Sequence, residues 1–254
     1  MALPPHLRPT NAIQALDINA KKIIAVTSGK GGVGKSTVTA LLASDYARKG
    51  FKVGIVDLDV FGFSIPKLFK ITEKAKRAGT LIKPVEVNGL YLVSMGMFVN
   101  ENEIVAWRGP MLHRAVHQLL NDVAFPELDY LFLDLPPGTG DIAISMGQLL
   151  PQAKVLIVTT PQPHAADISI RTGLLAKKND QEVIGVIENM SHFITPDGKA
   201  YEIFGANGGK KIAEELDAEL LTKIPIVAET ASDKLITKPD IASPVLKAIA
   251  KIKI

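Results

Sequence analysis

The sequence predicts a doubly wound α/β domain built on a mostly parallel sheet. Three observations carry that expectation. Short apolar runs alternate with longer helical stretches along nearly the whole chain. Several of those runs are apolar without alternation, as strands covered on both faces must be. A glycine-rich run at residues 29–34 stands between the first strand and the first helix, where open α/β sheets bind their ligands.

In chain order, strands are expected at Ile23–Thr27, Val53–Asp57, Leu90–Val93, Tyr130–Asp134, Val155–Thr160 and Val183–Glu188, with a short run ending near Pro225. Helices are expected over Lys35–Arg48, Met111–Val123 and Ala166–Lys177. In the middle helix Met111, Leu112, Ala115, Val116, Leu119, Leu120 and Val123 fall on one stripe at the 3.6-residue period. The last stretch, Val245–Ile254, is apolar with Lys247, Lys251 and Lys253, in the manner of a short membrane-touching helix. So short a segment has marginal membrane affinity, and docking on the domain is the expected role.

The chain has 254 residues, enough for one domain with a sizeable core. No internal repeat or low-complexity linker divides it, so residues 21–254 are expected as one domain behind a flexible arm over residues 1–20. With 29 Lys+Arg against 26 Asp+Glu the formal net charge is +3, too mild to argue for nucleic acid or an anionic membrane as a partner. Cysteine is absent, which excludes disulfides, thiol catalysis and Cys-ligated zinc or iron–sulfur clusters on this chain alone. The opening stretch MALPPHLRPT lacks the apolar core of a signal peptide, and no run of 18 apolar residues follows, so a cytoplasmic location is expected.

The strongest chemical signal is Gly29-Lys30-Gly31-Gly32-Val33-Gly34-Lys35-Ser36, followed by Thr37. It fits G-x-x-x-x-G-K-[ST] in full, directly after a strand and before a helix. Glycines let successive backbone N–H groups curl around phosphate oxygens, and the helix N-terminus adds its positive end. Lys35 is placed to reach the β- and γ-phosphates and Ser36 to ligate Mg²⁺. Asp57 and Asp59 close the strand Val53–Asp57, with Asp59 the candidate to activate the attacking water and Asp57 to support the Mg²⁺ water shell. Asp134 ends a second apolar strand and is expected to hold Mg²⁺ through water. Leu135-Pro136-Pro137-Gly138-Thr139-Gly140-Asp141 reads as a switch loop whose Gly138 amide senses the γ-phosphate. The reaction expected from these residues is hydrolysis of a nucleoside triphosphate to the diphosphate and phosphate.

The early lysine of the loop, Lys30, makes the run resemble the deviant Walker A motif of the MinD-like P-loop NTPases. That resemblance implies ATP, and a homodimer in which Lys30 reaches the partner's nucleotide. Further runs sharpen it: Asp-Leu-Asp-Val-Phe-Gly-Phe-Ser-Ile-Pro at 57–66, Trp107-Arg-Gly-Pro-Met, residues 134–141, Val158-Thr-Thr-Pro-Gln162 and Glu188-Asn-Met-Ser191. Together they resemble the Mrp family of iron–sulfur cluster carrier ATPases from about Lys21 onward. The resemblance implies that Asn189 reads the adenine with the Ile224-Pro225 turn nearby, and that iron–sulfur assembly or client proteins are partners. Phe63 departs from the family, which carries proline after the glycine. So does Thr195-Pro196-Asp197-Gly198, where the family carries Cys-Pro-x-Cys. A surface turn is expected there, with direct cluster binding lost or dependent on a partner's thiols.

Two other patterns carry less. His113 and His117 are spaced i, i+4, but Arg114 stands where a zinc peptidase needs its glutamate, so a solvated helix face is expected. Asn189-Met-Ser191 matches a glycosylation sequon without any sign of secretion. A regulatory or positioning ATPase of the MinD kind is the competing function, and a small-molecule kinase is weaker for want of a second substrate motif.

Overall fold

The computed structural model describes residues 15–60, 62–98, 109–227, 232–237, 239 and 243–254. The first half runs β1 (Ala20–Thr27), α1 (Lys35–Arg48), β2 (Val53–Asp57), α2 (Ser64–Leu68), β3 (Lys76–Ala78), β4 (Leu81–Lys83), β5 (Val85–Val87), β6 (Leu90–Ser94) and α3 (Gly109–Asn121). The second half runs β7 (Leu128–Asp134), α4 (Asp141–Leu149), β8 (Lys154–Thr159), α5 (Pro163–Lys178), β9 (Val183–Ile194), β10 (Ala200–Tyr201), α6 (Gly208–Glu215), β11 (Leu220–Val227), α7 (Ser232–Thr237) and α8 (Pro244–Ala250).

One nine-stranded sheet organises the chain in the order β5-β6-β2-β7-β1-β8-β9, with β10 and β11 both on β9. Every pairing from β6 across to β11 is parallel, while β5 and β10 pair antiparallel at the flanks. Alternate strand residues feed two cores. Ile23 and Ala25 of β1 face a layer with Leu112, Val116, Ile142 and Ala166, from α3, α4 and α5. Ile24 and Val26 face the opposite layer with Val38, Leu41, Leu235 and Ile249, from α1, α7 and α8. Each fully buried side chain of this size contributes about 1.5–3 kcal/mol, so neither face tolerates a polar residue cheaply.

Local chemistry sets the limits of α1. It opens after Gly34, at φ +82, and closes where Gly50, at φ +90, donates its N–H to Ala47 O at 3.0 Å. The expected central strands and helices are all present with ends moved by a few residues. Met111 is the exception in the apolar stripe of α3, being 49% exposed. Strand β9 continues to Ile194, six residues past the expected Glu188, because β11 accompanies it in register to Val227. Within that extension Met190 has φ +55, and the β11 register shifts between Ile224 and Ile226. Pro225 sits at that shift inside β11, not in a turn; lacking an N–H, it suits a break in the ladder.

Most of the expected N-terminal arm, residues 1–14, lies outside the described residues, as do Trp107, Arg108 and Phe61. Leu16 and Ile18 pack on the core, and Leu16 N–H donates to Leu149 O at 2.8 Å. The C-terminal helix α8 buries Val245, Leu246, Ala248 and Ile249, leaving Lys247, Lys251 and Lys253 outside. Among the described residues no helix is long and apolar enough to cross a membrane.

Candidate nucleotide site

Strands β1, β2 and β7 end side by side, with Val26 opposite Asp134 and Asp57 opposite Asp134 in register. The loops that follow them therefore surround one cavity of ≈ 580 Å³, lined by residues 30–37, Asp59, Ser64, Lys67 and Pro137. Glycine is required at two points of its rim. A Cβ on Gly29 would lie 2.5 Å from Ser169 N, and one on Gly34 would lie 2.3 Å from Asn189 Nδ2. A Cβ on Gly31 or Gly32 would meet only open space, and both residues line the cavity.

Asp134 is the centre of the site and is wholly buried. Its Oδ1 lies 2.9 Å from Lys35 Nζ and accepts the Thr39 hydroxyl at 2.9 Å; its Oδ2 accepts the Ser36 hydroxyl at 2.6 Å. Lys35 Nζ also lies 3.6 Å from Asp59 Oδ2, at the cavity wall. A buried carboxylate and two hydroxyls make a hard-oxygen donor set of the kind that suits Mg²⁺, and the Lys35 ammonium beside them is a donor suited to phosphate oxygens.

Asp57 sits behind the wall. Its Oδ2 accepts the Ser94 hydroxyl at 3.0 Å and its Oδ1 accepts the Asp59 N–H at 3.1 Å. Burial, together with the negative charge of Asp134, pushes its carboxyl up to about 8. Ser94 in turn accepts the Gly96 N–H at 3.1 Å, and Phe63 packs where a Cβ on Gly96 would stand. The family's proline position is thus filled here by a ring seated on the Met95–Met97 turn.

Other expected groups are present but occupied within the chain. Gly138, at φ +89, donates its N–H to Ser28 O at 2.7 Å. Lys30 Nζ donates to Gln162 Oε1 at 2.6 Å. Asn189 is buried and donates Nδ2 to Val33 O at 2.8 Å; neither it nor Pro225 lines the cavity. Thr37 does line it. Thr39 and Ser94 lie outside the motif runs of the sequence, and Gln162 ends one of them with no role implied. Thr39 stands one helical turn beyond Lys35, and Ser94 ends the strand beside Asp57, so both had a positional signal.

Away from the cavity, residues 195–199 form a tight turn between β9 and β10. Gly198 N–H donates to Thr195 O at 2.8 Å and Gly198 has φ +82. The Thr195 hydroxyl contacts Asp197 Oδ1 and donates to Lys199 O at 3.0 Å, and Lys199 Nζ pairs with Asp197 at 2.9 Å. His113 is not simply solvated: its Nδ1 lies 2.9 Å from Ser145 Oγ. No cluster of three or more potential metal-ligating side chains occurs among the described residues.

Known proteins agree with this geometry. A family model described as ParA, NUBPL iron-transfer P-loop NTPase, matches residues 19–252. The chain is 48% identical over 82% of its length to an iron–sulfur cluster carrier protein of Bacillus subtilis, and 44% identical over 89% to one of Mycobacterium leprae. It spans 59% of the length of each of those two relatives. Among solved structures, a nucleotide-binding protein from Archaeoglobus fulgidus in complex with ADP matches with TM-score 0.74 and 33% identity, covering 90% of this chain and 91% of that one. The cell division ATPase MinD of Pyrococcus furiosus, at TM-score 0.66 and 21% identity over 91% of this chain and 96% of its own, shares the fold. With a family match over nearly its whole length, the chain belongs to the NUBPL iron-transfer P-loop NTPase family.

Proposed function

We propose that this chain binds ATP with Mg²⁺, hydrolyses it to ADP and phosphate as a face-to-face homodimer, and serves iron–sulfur cluster transfer without holding a cluster on its own side chains. The observation that carries the reading is the buried Asp134 network, which gathers Lys35, Ser36 and Thr39 at one wall of the cavity and leaves Asp59 facing into it. The backbone N–H groups of residues 31–36 would cradle the phosphates. Lys35 would exchange its carboxylate partners for the β- and γ-phosphate oxygens. Ser36 and Asp134 would hold Mg²⁺, Asp134 through water and with Asp57 supporting from behind, and the bound ion would neutralise charge on the phosphates. Asp59 would take the proton of the water that attacks the γ-phosphorus as the bond to the β-bridging oxygen breaks. The Gly138 amide would leave Ser28 O for the γ-phosphate, and Lys30 would reach the nucleotide of the second copy. Asn189 and Pro225 would flank the adenine.

Thr195 and Gly198 occupy the thiolate positions of the family, and their turn satisfies its own polar groups. Cluster iron, the cargo, therefore needs thiols from a partner protein. A membrane-positioning role finds no support, because the apolar residues of α8 are spent in the core. The test is phosphate release alongside ATP binding. Asp59→Ala should bind ATP within a few-fold of the parent while turnover falls by about 10²–10⁴. A variant that hydrolyses like the parent shows that Asp59 is not the base, and a parent that releases no phosphate overturns the proposal.

A further inference from the structure

We infer that Gln162 is a positioning residue that holds Lys30 within its own chain, so that the lysine must be released before two copies can close on nucleotide. The inference rests on the reading of Lys30 as the residue that serves the partner's nucleotide. The amine of Lys30 meets the side-chain amide of Gln162 at 2.6 Å across 132 residues of sequence. An ammonium has only donors to offer, so it fixes the amide oxygen as the atom facing it.

Two features show that this contact is built in. Gln162 is the N-cap residue of α5, yet its side chain makes no capping hydrogen bond and is directed to Lys30 instead. The backbone on both sides is fixed by close packing. Gly29, next to Lys30, lies against α5 so tightly that a Cβ would stand 2.5 Å from Ser169 N. Pro161, next to Gln162, is pressed by Gly208, where a Cβ would stand 2.5 Å from Pro161 O.

Held by a neutral acceptor, Lys30 is restrained but not neutralised. Its affinity for a second site is scaled down to the fraction of time it is free of Gln162. For a half-buried charged hydrogen bond that fraction corresponds to roughly a three- to tenfold bias. Removing the acceptor should therefore strengthen ATP-dependent dimerisation, and replacing it with a carboxylate should weaken it. A residue that merely supports the fold would shift both variants in the same direction.

The experiment measures the dimerisation midpoint of the full chain by sedimentation with a non-hydrolysable ATP analogue and Mg²⁺. Gln162→Met, which keeps the length and loses the acceptor, should lower the midpoint about ten- to hundredfold, because each closing dimer releases two such lysines. Gln162→Glu should raise it by a similar factor. In a Lys30→Ala background Gln162→Met should change nothing further. Met and Glu variants moving together, or a Met effect that persists without Lys30, would overturn the inference. A Lys30→Ala chain that dimerises like the parent would instead remove the bridging reading on which it rests.

Discussion

The ends of β1, β2 and β7 contrast with the turn at the end of β9. At the first, each polar group depends on another: Asp134 is shared by Lys35, Ser36 and Thr39, and Asp57 is tied to Ser94 and the Asp59 N–H. At the second, Thr195, Asp197 and Lys199 bond mainly to one another on an exposed turn. An interlocked buried network resists substitution, since removing one member strands the rest. A self-contained surface turn does not, so substitutions at residues 195 and 198 need not disturb the buried network.

The contrast makes measurable demands. The largest effect falls on Lys35→Ala, which takes the ammonium away from the buried Asp134 carboxylate. Removing one partner of a buried ion pair costs about 3–5 kcal/mol. Urea denaturation should therefore show a stability loss of that order, together with loss of tight ATP binding by calorimetry. A variant of parental stability would mean that the network is not interlocked.

The turn should behave oppositely. Anaerobic reconstitution with iron and sulfide should leave the parent chain with background iron and no visible cluster absorption. Thr195→Cys combined with Gly198→Cys should gain both, at a stability cost of about 1–2 kcal/mol, because residue 198 holds φ +82. Stoichiometric cluster on the cysteine-free parent would point to ligands such as His192.

The last effect is read as a slope per pH unit and concerns Asp57. Its carboxyl is raised from 3.8 to about 8, so the folded chain binds more protons than the unfolded one between those values. Stability of the nucleotide-free protein should then fall as pH rises through that window, by at most about 1.4 kcal/mol per pH unit from this group. Asp57→Asn should flatten that part of the profile. An unchanged slope in denaturation at pH 5 and pH 7.5 would assign the dependence elsewhere.

The sequence is most legible where local and global signals coincide. Lys35–Arg48 matches α1 at both ends because glycines flank it, at Gly34 and Gly50. The all-apolar central strands show themselves through double-sided burial. The short strand β3 is exposed along its whole length, and the alternation of β5, Val85-Glu86-Val87, is only three residues long, too short to stand out. The end of β9 is hidden by Asn189, Ser191 and His192, polar residues held by β11 and by the Val33 and Ile224 carbonyls. Motif positions point to the residues that line the cavity. The partners of Lys30 and Asp57 could not be read the same way, since Gln162 and Ser94 meet them only through the order of strands in the sheet.

Strand β9 touches both regions: Asn189 abuts the glycine loop at Gly34, and Thr195 begins the turn. Six residues of straight strand would set them about 20 Å apart and act as a pushrod. The left-handed backbone at Met190 and the shifted β11 ladder place a joint between them. The glycine loop and the turn are therefore joined through an interrupted ladder, not through one continuous strand.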